Sequence, residues 1–226
     1  MDIVLDPAEI RVLGVLLEKQ LATPDYYPMT LNALIAGCNQ KSSRDPVMVL
    51  SESEVLEAME PLREARMAGR IRTAGSRATK YEHRLEEIFG LGRRDLALLA
   101  VLMLRGPQTA GELRTRTARM YEFNGLSEVE RALGDMEERT DGPWTIQLAR
   151  RPGRKEPRFA HGLGGPVEET ETNASTGATP GGIRDDLADR VFALEEEIAT
   201  LREEVAALRK TAAEVRTPLD EGGGSE

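Results

Sequence analysis

The chain is poor in the residues that usually announce a chemistry. One cysteine, Cys38, leaves no partner for an intramolecular disulfide and no thiolate set for a zinc site. The two histidines, His83 and His161, are far apart, so the paired spacing of a helical metal site is absent. No apolar run approaches the ~20 residues that a membrane-spanning helix needs. The opening Met1-Asp-Ile-Val-Leu-Asp-Pro7 lacks the basic and apolar pattern of a secretory signal. No GxxxxGK phosphate loop occurs, and Gly162-Leu-Gly-Gly165 runs toward a linker rather than into a helix. Aromatic residues are only 4 % of the chain, so the core must rest on Leu, Val, Ile, Met and Ala. These absences point to a cytoplasmic, non-enzymatic protein with no catalytic residues, no metal ligands, no cofactor and no membrane partner.

Charge is abundant but unevenly placed. Residues 1–163 carry 24 basic and 24 acidic side chains, with arginine outnumbering lysine 20 to 4. The last 63 residues carry 6 basic and 15 acidic groups, so the net charge of −9 belongs entirely to them. A global basic footprint for nucleic acid is therefore missing, and any basic surface must come from local segregation.

Residues 164–182 offer too little apolar surface to offset the entropy of ordering them and read as a flexible linker. Beyond it, Leu187, Val191, Leu194, Ile198, Leu201, Val205 and Leu208 recur at alternating spacings of four and three. That is the seam of a coiled-coil helix over residues 183–216, and β-branched residues at a with Leu at d favour a parallel homodimer. The opposite-sign pairs Arg190–Glu195, Glu197–Arg202 and Glu204–Arg209 fit the same arrangement. Residues 217–226 read as a disordered tail.

Residues 2–163 read as two copies of one plan. Asp6-Pro7-Ala8-Glu9 opens a helix whose face is lined by Ile10, Leu13, Leu16, Leu17 and Leu21. Thr30 caps a short second helix, and a capping box at Ser51 and Glu54 opens a third. After Gly69 the period changes to two, giving a two-stranded hairpin with strands at residues 70–74 and 80–84. The second half repeats this order: a stripe of Leu96, Leu99, Leu102 and Met103, a box at Thr109 and Glu112, a box at Ser127 and Glu130, then a hairpin. Three helices closed by a β hairpin is the winged-helix plan. The expected fold is mainly α with small β wings: tandem winged-helix domains over 1–90 and 91–163, then the C-terminal coiled-coil helix.

Three stretches are recognisable in order. Tyr27-Pro-Met-Thr-Leu-Asn-Ala-Leu-Ile-Ala-Gly-Cys-Asn-Gln-Lys-Ser-Ser-Arg-Asp-Pro-Val47 resembles the signature stretch of the YceH-like proteins, a bacterial family. Leu104-Arg-Gly-Pro-Gln-Thr-Ala-Gly-Glu-Leu-Arg-Thr-Arg-Thr117 and Arg151-Pro-Gly-Arg-Lys-Glu-Pro-Arg-Phe-Ala-His161 resemble its second-half motifs. The resemblance spans residues 6–163 and implies a tandem winged-helix fold. It carries over no catalytic or ligand residues. The linker and coiled coil depart from the shorter family pattern.

Three surfaces are candidates for function. The third helices are acidic: Glu54, Glu57, Glu60 and Glu64 surround Arg63 and Arg66, and Glu128, Glu130, Asp135, Glu137 and Glu138 surround Arg131. Carboxylates facing phosphates are repelled, so base reading by these helices is not expected. The hairpins are basic. Arg70, Arg72, Arg77, Lys80 and Arg84 stand against Glu82, and Arg150, Arg151, Arg154, Lys155 and Arg158 against Glu156. Arginine on a hairpin suits phosphate contact or a narrow minor groove. The loop 39–45 is rich in hydrogen-bonding side chains and could serve a nucleic acid, a partner or its own domain. The leading expectation is sequence-tolerant association with double-stranded DNA through the two wings in a regulatory role. The alternative is a protein–protein adaptor whose acidic helices face a basic partner.

Overall fold

The computed structural model describes residues 4–72, 79–150 and 156–165. Arg77, Arg151, Arg154 and Lys155 lie outside the described residues, as do the linker from residue 166 on, the heptads from Leu187 to Leu208 and the tail.

Helix α1 (Pro7–Ala22) begins where the sequence says it should. The Asp6 carboxylate accepts from the Glu9 N–H at 2.8 Å, and Glu9 accepts in return from the Asp6 N–H at 3.0 Å. A short strand, β1 (Met29–Thr30), follows, and Thr30 then caps α2 (Leu31–Cys38). Ser51 and Glu54 form the expected capping box of α3 (Glu52–Glu64). Strands β2 (Ala68–Ile71) and β3 (Lys80–His83) and the short α4 (Leu85–Phe89) complete the first half. The second half repeats the order with α5 (Arg93–Arg105), β4 (Gln108–Thr109), α6 (Ala110–Thr117), α7 (Leu126–Glu137), β5 (Thr145–Gln147) and β6 (Arg158–His161).

Each half closes on an antiparallel sheet of three strands, ordered β1-β3-β2 and β4-β6-β5. The two-residue strands β1 and β4 are the additions to the expected hairpins. They pair Met29 with Tyr81 and Gln108 with Phe159. Two residues are too few to show an alternation, which is why the pattern did not reveal them. Strand β2 starts at Ala68, two residues earlier than expected, and pairs Ala68 with His83.

The cap of α7 also differs from the expected Ser127 and Glu130 box. The helix starts at Leu126, and Glu128 reaches back to accept from the Asn124 backbone N–H at 2.8 Å and its side-chain amide at 2.9 Å. Asn124-Gly125 supplies the turn, so the carboxylate two residues nearer to it does the capping.

The two halves share one core. Val12, Leu13, Val15, Leu16 and Leu17 of α1 are all buried, and Leu96 to Leu104 of α5 form an unbroken buried run. Helices apolar on every side are enclosed on every side, and here α1 and α5 lie against each other. Gly14 permits the approach: a Cβ there would stand 3.0 Å from the Met103 Cβ. Polar contacts tie the halves further. Arg93 donates to Met120 O at 3.0 Å and to Leu21 O at 3.1 Å, and the Leu5 N–H donates to Leu163 O at 2.7 Å. No described helix is long and apolar enough to cross a membrane.

Candidate binding surfaces

The first hairpin spends part of its basic charge on its own domain. Arg70 pairs with Glu60 of α3, which also holds Arg63 at 2.5 Å, and its guanidinium lies 5.9 Å from the centre of the Tyr81 ring. Arg84 is 3.4 Å from Glu82 and its guanidinium covers Gly69, where any Cβ would collide with it. Lys80 is half-buried opposite Thr30 and Ile71. Arg72 is exposed beside the turn. Leu56, Arg70, Ile71, Arg72, Thr79 and Tyr81 line an open hollow of about 440 Å³. In the second half Arg158 donates to Pro107 O, while Arg150 is exposed. The described expected contacts therefore divide into exposed Arg72 and Arg150, half-buried Lys80, and Arg84 turned onto its own sheet.

The outer face of α3 is acidic. Glu52, Glu54, Glu57, Glu60 and Glu64 are all exposed. Glu54 is engaged in the cap, where the Ser51 hydroxyl and N–H hold its carboxyl below the usual range. Glu60 is matched by two arginines. Glu52, Glu57 and Glu64 make no ion pair with another described residue. On α7, Asp135 binds Arg94 at 2.7 Å and Glu137 accepts from the Gln147 N–H at 3.2 Å, leaving Glu130, Glu138 and Arg131 exposed.

The polar loop after α2 is bound to its own domain. Arg44 is fully enclosed and donates to Gly37 O, Ser43 O, Gln40 Oε1 and both oxygens of Glu18. Burial would raise the Glu18 carboxyl, but Arg44 and Lys19 outweigh it and hold it at about 2. A second buried arginine, Arg11, donates to Cys38 O at 3.0 Å and to Pro46 O. The Asn39 side chain brackets the Leu50 backbone, donating to its carbonyl at 2.8 Å and accepting from its N–H at 2.7 Å. Sequence reasoning missed Arg11 and Glu18. Their only signal is a charged residue placed between the apolar positions of α1.

The scarce reactive groups are sealed. Cys38 is fully buried, and burial pushes its thiol up to about 12, so thiolate is scarce at neutral pH. His83 is buried with its Nδ1 accepting from the Leu85 N–H at 3.3 Å, so Nε2 carries the proton toward Gln20 Oε1. Burial holds the imidazoles of His83 and His161 at about 4, neutral at pH 7. No group of three or more potential metal ligands occurs among the described residues.

Comparison with known proteins agrees with the sequence motifs. Residues 5–154 match the family model described as "Protein of unknown function, DUF480". A UPF0502 protein of Geobacter sulfurreducens is 48 % identical over 202 residues, covering 88 % of this chain and 90 % of the relative. One from Geobacter metallireducens is 52 % identical over 201 residues, with coverage of 88 % and 90 %. One from Serratia proteamaculans is 45 % identical over 201 residues, with coverage of 86 % and 91 %. Alignments of this length run past residue 163, so the relatives are not confined to the shorter pattern expected from the motifs. The chain belongs to the bacterial UPF0502 family and carries the DUF480 region over residues 5–154.

Proposed function

We propose that this protein is a non-enzymatic tandem winged-helix adaptor that engages a partner protein and does not read DNA sequence. The repeated order of helix, short strand, two helices and an antiparallel hairpin, each half closing on a three-stranded sheet, supports the winged-helix reading. In such a module α3 is the helix that would enter the major groove. The observation that carries the adaptor reading is its exposed face, where Glu52, Glu57 and Glu64 stand without ion-pair partners among the described residues. DNA affinity comes largely from phosphate neutralisation, so unpaired carboxylates on that face oppose it. A basic protein surface is the complementary partner. Homodimerisation through the heptads from Leu187 to Leu208 would present two such faces on one particle.

A second reading, association with double-stranded DNA through the wings, is favoured by exposed Arg72 and Arg150 flanking the two hairpin turns. One experiment separates the readings: titration of a labelled random-sequence duplex with the full chain at several salt concentrations. The adaptor reading expects no saturable binding near physiological salt. Salt-sensitive binding by the unaltered protein, lost on charge reversal at Arg72 and Arg150, would replace it with the wing reading.

A further inference from the structure

The stretch joining the polar loop to α3 belongs to neither sheet, and its residues alternate between exposed and covered. Both of its ends are fixed. The Asp45 N–H donates to Leu104 O at 2.8 Å, the buried Arg11 guanidinium donates to Pro46 O, and the Asn39 side chain brackets Leu50. Between these anchors the side chains alternate as in a strand. Met48 is half-buried and packs on the core, and Leu50 is buried. Val47 is 54 % exposed and Val49 is 88 % exposed. Among the described residues, no backbone hydrogen bond uses the N–H or carbonyl of Val47, Met48 or Val49.

This is an unpaired stretch of backbone, alternating as a strand edge would and tied down at both ends. Proteins usually blunt such edges with lysine, proline or a bulge; here two β-branched valines face solvent. The edge leads through Ser51 directly into α3, whose first two turns expose Glu52 and Glu57. We propose that Val47–Val49 is a docking strand for an extended segment of a partner protein. The segment adds to the edge by main-chain pairing, sets branched apolar side chains against Val47 and Val49, and carries lysine or arginine that meets Glu52 and Glu57. The fixed ends lower the ordering cost on the protein's side, and strand addition supplies affinity through backbone bonds with specificity from alternate side chains. This proposal rests on the adaptor reading and names its surface and its ligand.

The test uses the full chain and a fluorescein-labelled peptide, Lys-Lys-Val-Thr-Val-Thr-Val, read by anisotropy. Two control peptides replace the lysines with glutamate or N-methylate alternate amides. The docking strand predicts that the first peptide binds and both controls fail. Val49→Asp and Val49→Pro should each weaken binding by about tenfold or more, the latter because proline removes the N–H. Val49 is so exposed that both variants should fold, as circular dichroism would verify. No binding of the first peptide, or equal binding by the N-methylated peptide or by Val49→Asp, overturns the proposal. If Val49→Asp binds like the unaltered chain while Glu57→Lys does not, the acidic-face reading stands and the docking strand falls. Self-association lost in Val49→Asp by sedimentation would assign the edge to a second copy, which also overturns it. Salt-sensitive binding of a DNA duplex by the unaltered protein removes the adaptor reading itself.

Discussion

Replacing Arg44 with methionine tests whether the polar loop after α2 is held from inside. The guanidinium is completely enclosed and makes five hydrogen bonds, to Gly37 O, Ser43 O, Gln40 Oε1 and the two Glu18 oxygens. Methionine fills similar space but donates nothing, so it strands a carboxylate that is only 15 % exposed. Removing one partner of a buried pair costs about 3–5 kcal/mol, mostly as the penalty of the charge left behind. Lys19 remains 3.5 Å from Glu18, which places the expected loss near the lower end, at about 3 kcal/mol. Urea unfolding at pH 7, followed by far-UV circular dichroism, measures it directly. The double variant Arg44→Met/Glu18→Gln should lose less than the sum of the singles by about 1–3 kcal/mol, because the stranded charge is gone. A loss below about 1 kcal/mol for Arg44→Met, or strict additivity in the cycle, would show that Glu18 does not depend on Arg44.

Acid should unfold the protein in two windows. His83 and His161 are held at about 4 against an ordinary 6.5, so each favours the folded state above pH 6.5 and loses that contribution as pH falls through 4. Glu18, held at about 2 against 4.5, contributes on the order of 3 kcal/mol above pH 4.5 and loses it as pH falls through 2. Urea midpoints measured from pH 8 to pH 3 should fall from about 6.5 downward, and a flat profile to pH 4.5 would contradict the burial of both imidazoles. Gly162→Ala should destabilise by at least about 2 kcal/mol in thermal melts, since its Cβ would lie 1.8 Å from Pro143 O in the turn that follows β6. Gly134→Ala, on the open side of α7, should instead be neutral or stabilise by up to about 1 kcal/mol.

The local grammar of the chain was legible where chemistry is short-ranged. Asp6, Thr30, Ser51 and Thr109 cap the helices that their spacing announced, because a cap needs only a side-chain oxygen and an amide within a few residues. The hairpins were legible in period but not in extent, since β1 and β4 are set by partners some fifty residues away. The stripe on α1 was incomplete for the same reason: its second face meets α5, which no local window contains. Among the candidate surfaces, the acidity of α3 followed from composition, but the turning of Arg84 onto Gly69 and of Arg158 onto Pro107 O did not. Val47 and Val49 carried no sequence signal, because their exposure depends on Arg11 and Asn39 fixing the chain on either side.

On the proposed reading, unpaired carboxylates on the outer surface of α3 keep DNA away and leave that surface to a partner protein. Fluorescence anisotropy of a labelled random duplex, titrated with the full chain and with Glu57→Lys/Glu64→Lys, tests it most directly. The unaltered protein should show no saturable binding near physiological salt, and the charge-reversed variant should gain it. The gain should carry a log–log salt slope of about −0.9 for each phosphate newly engaged. Tight, salt-sensitive binding by the unaltered protein, unchanged in the variant, would contradict it.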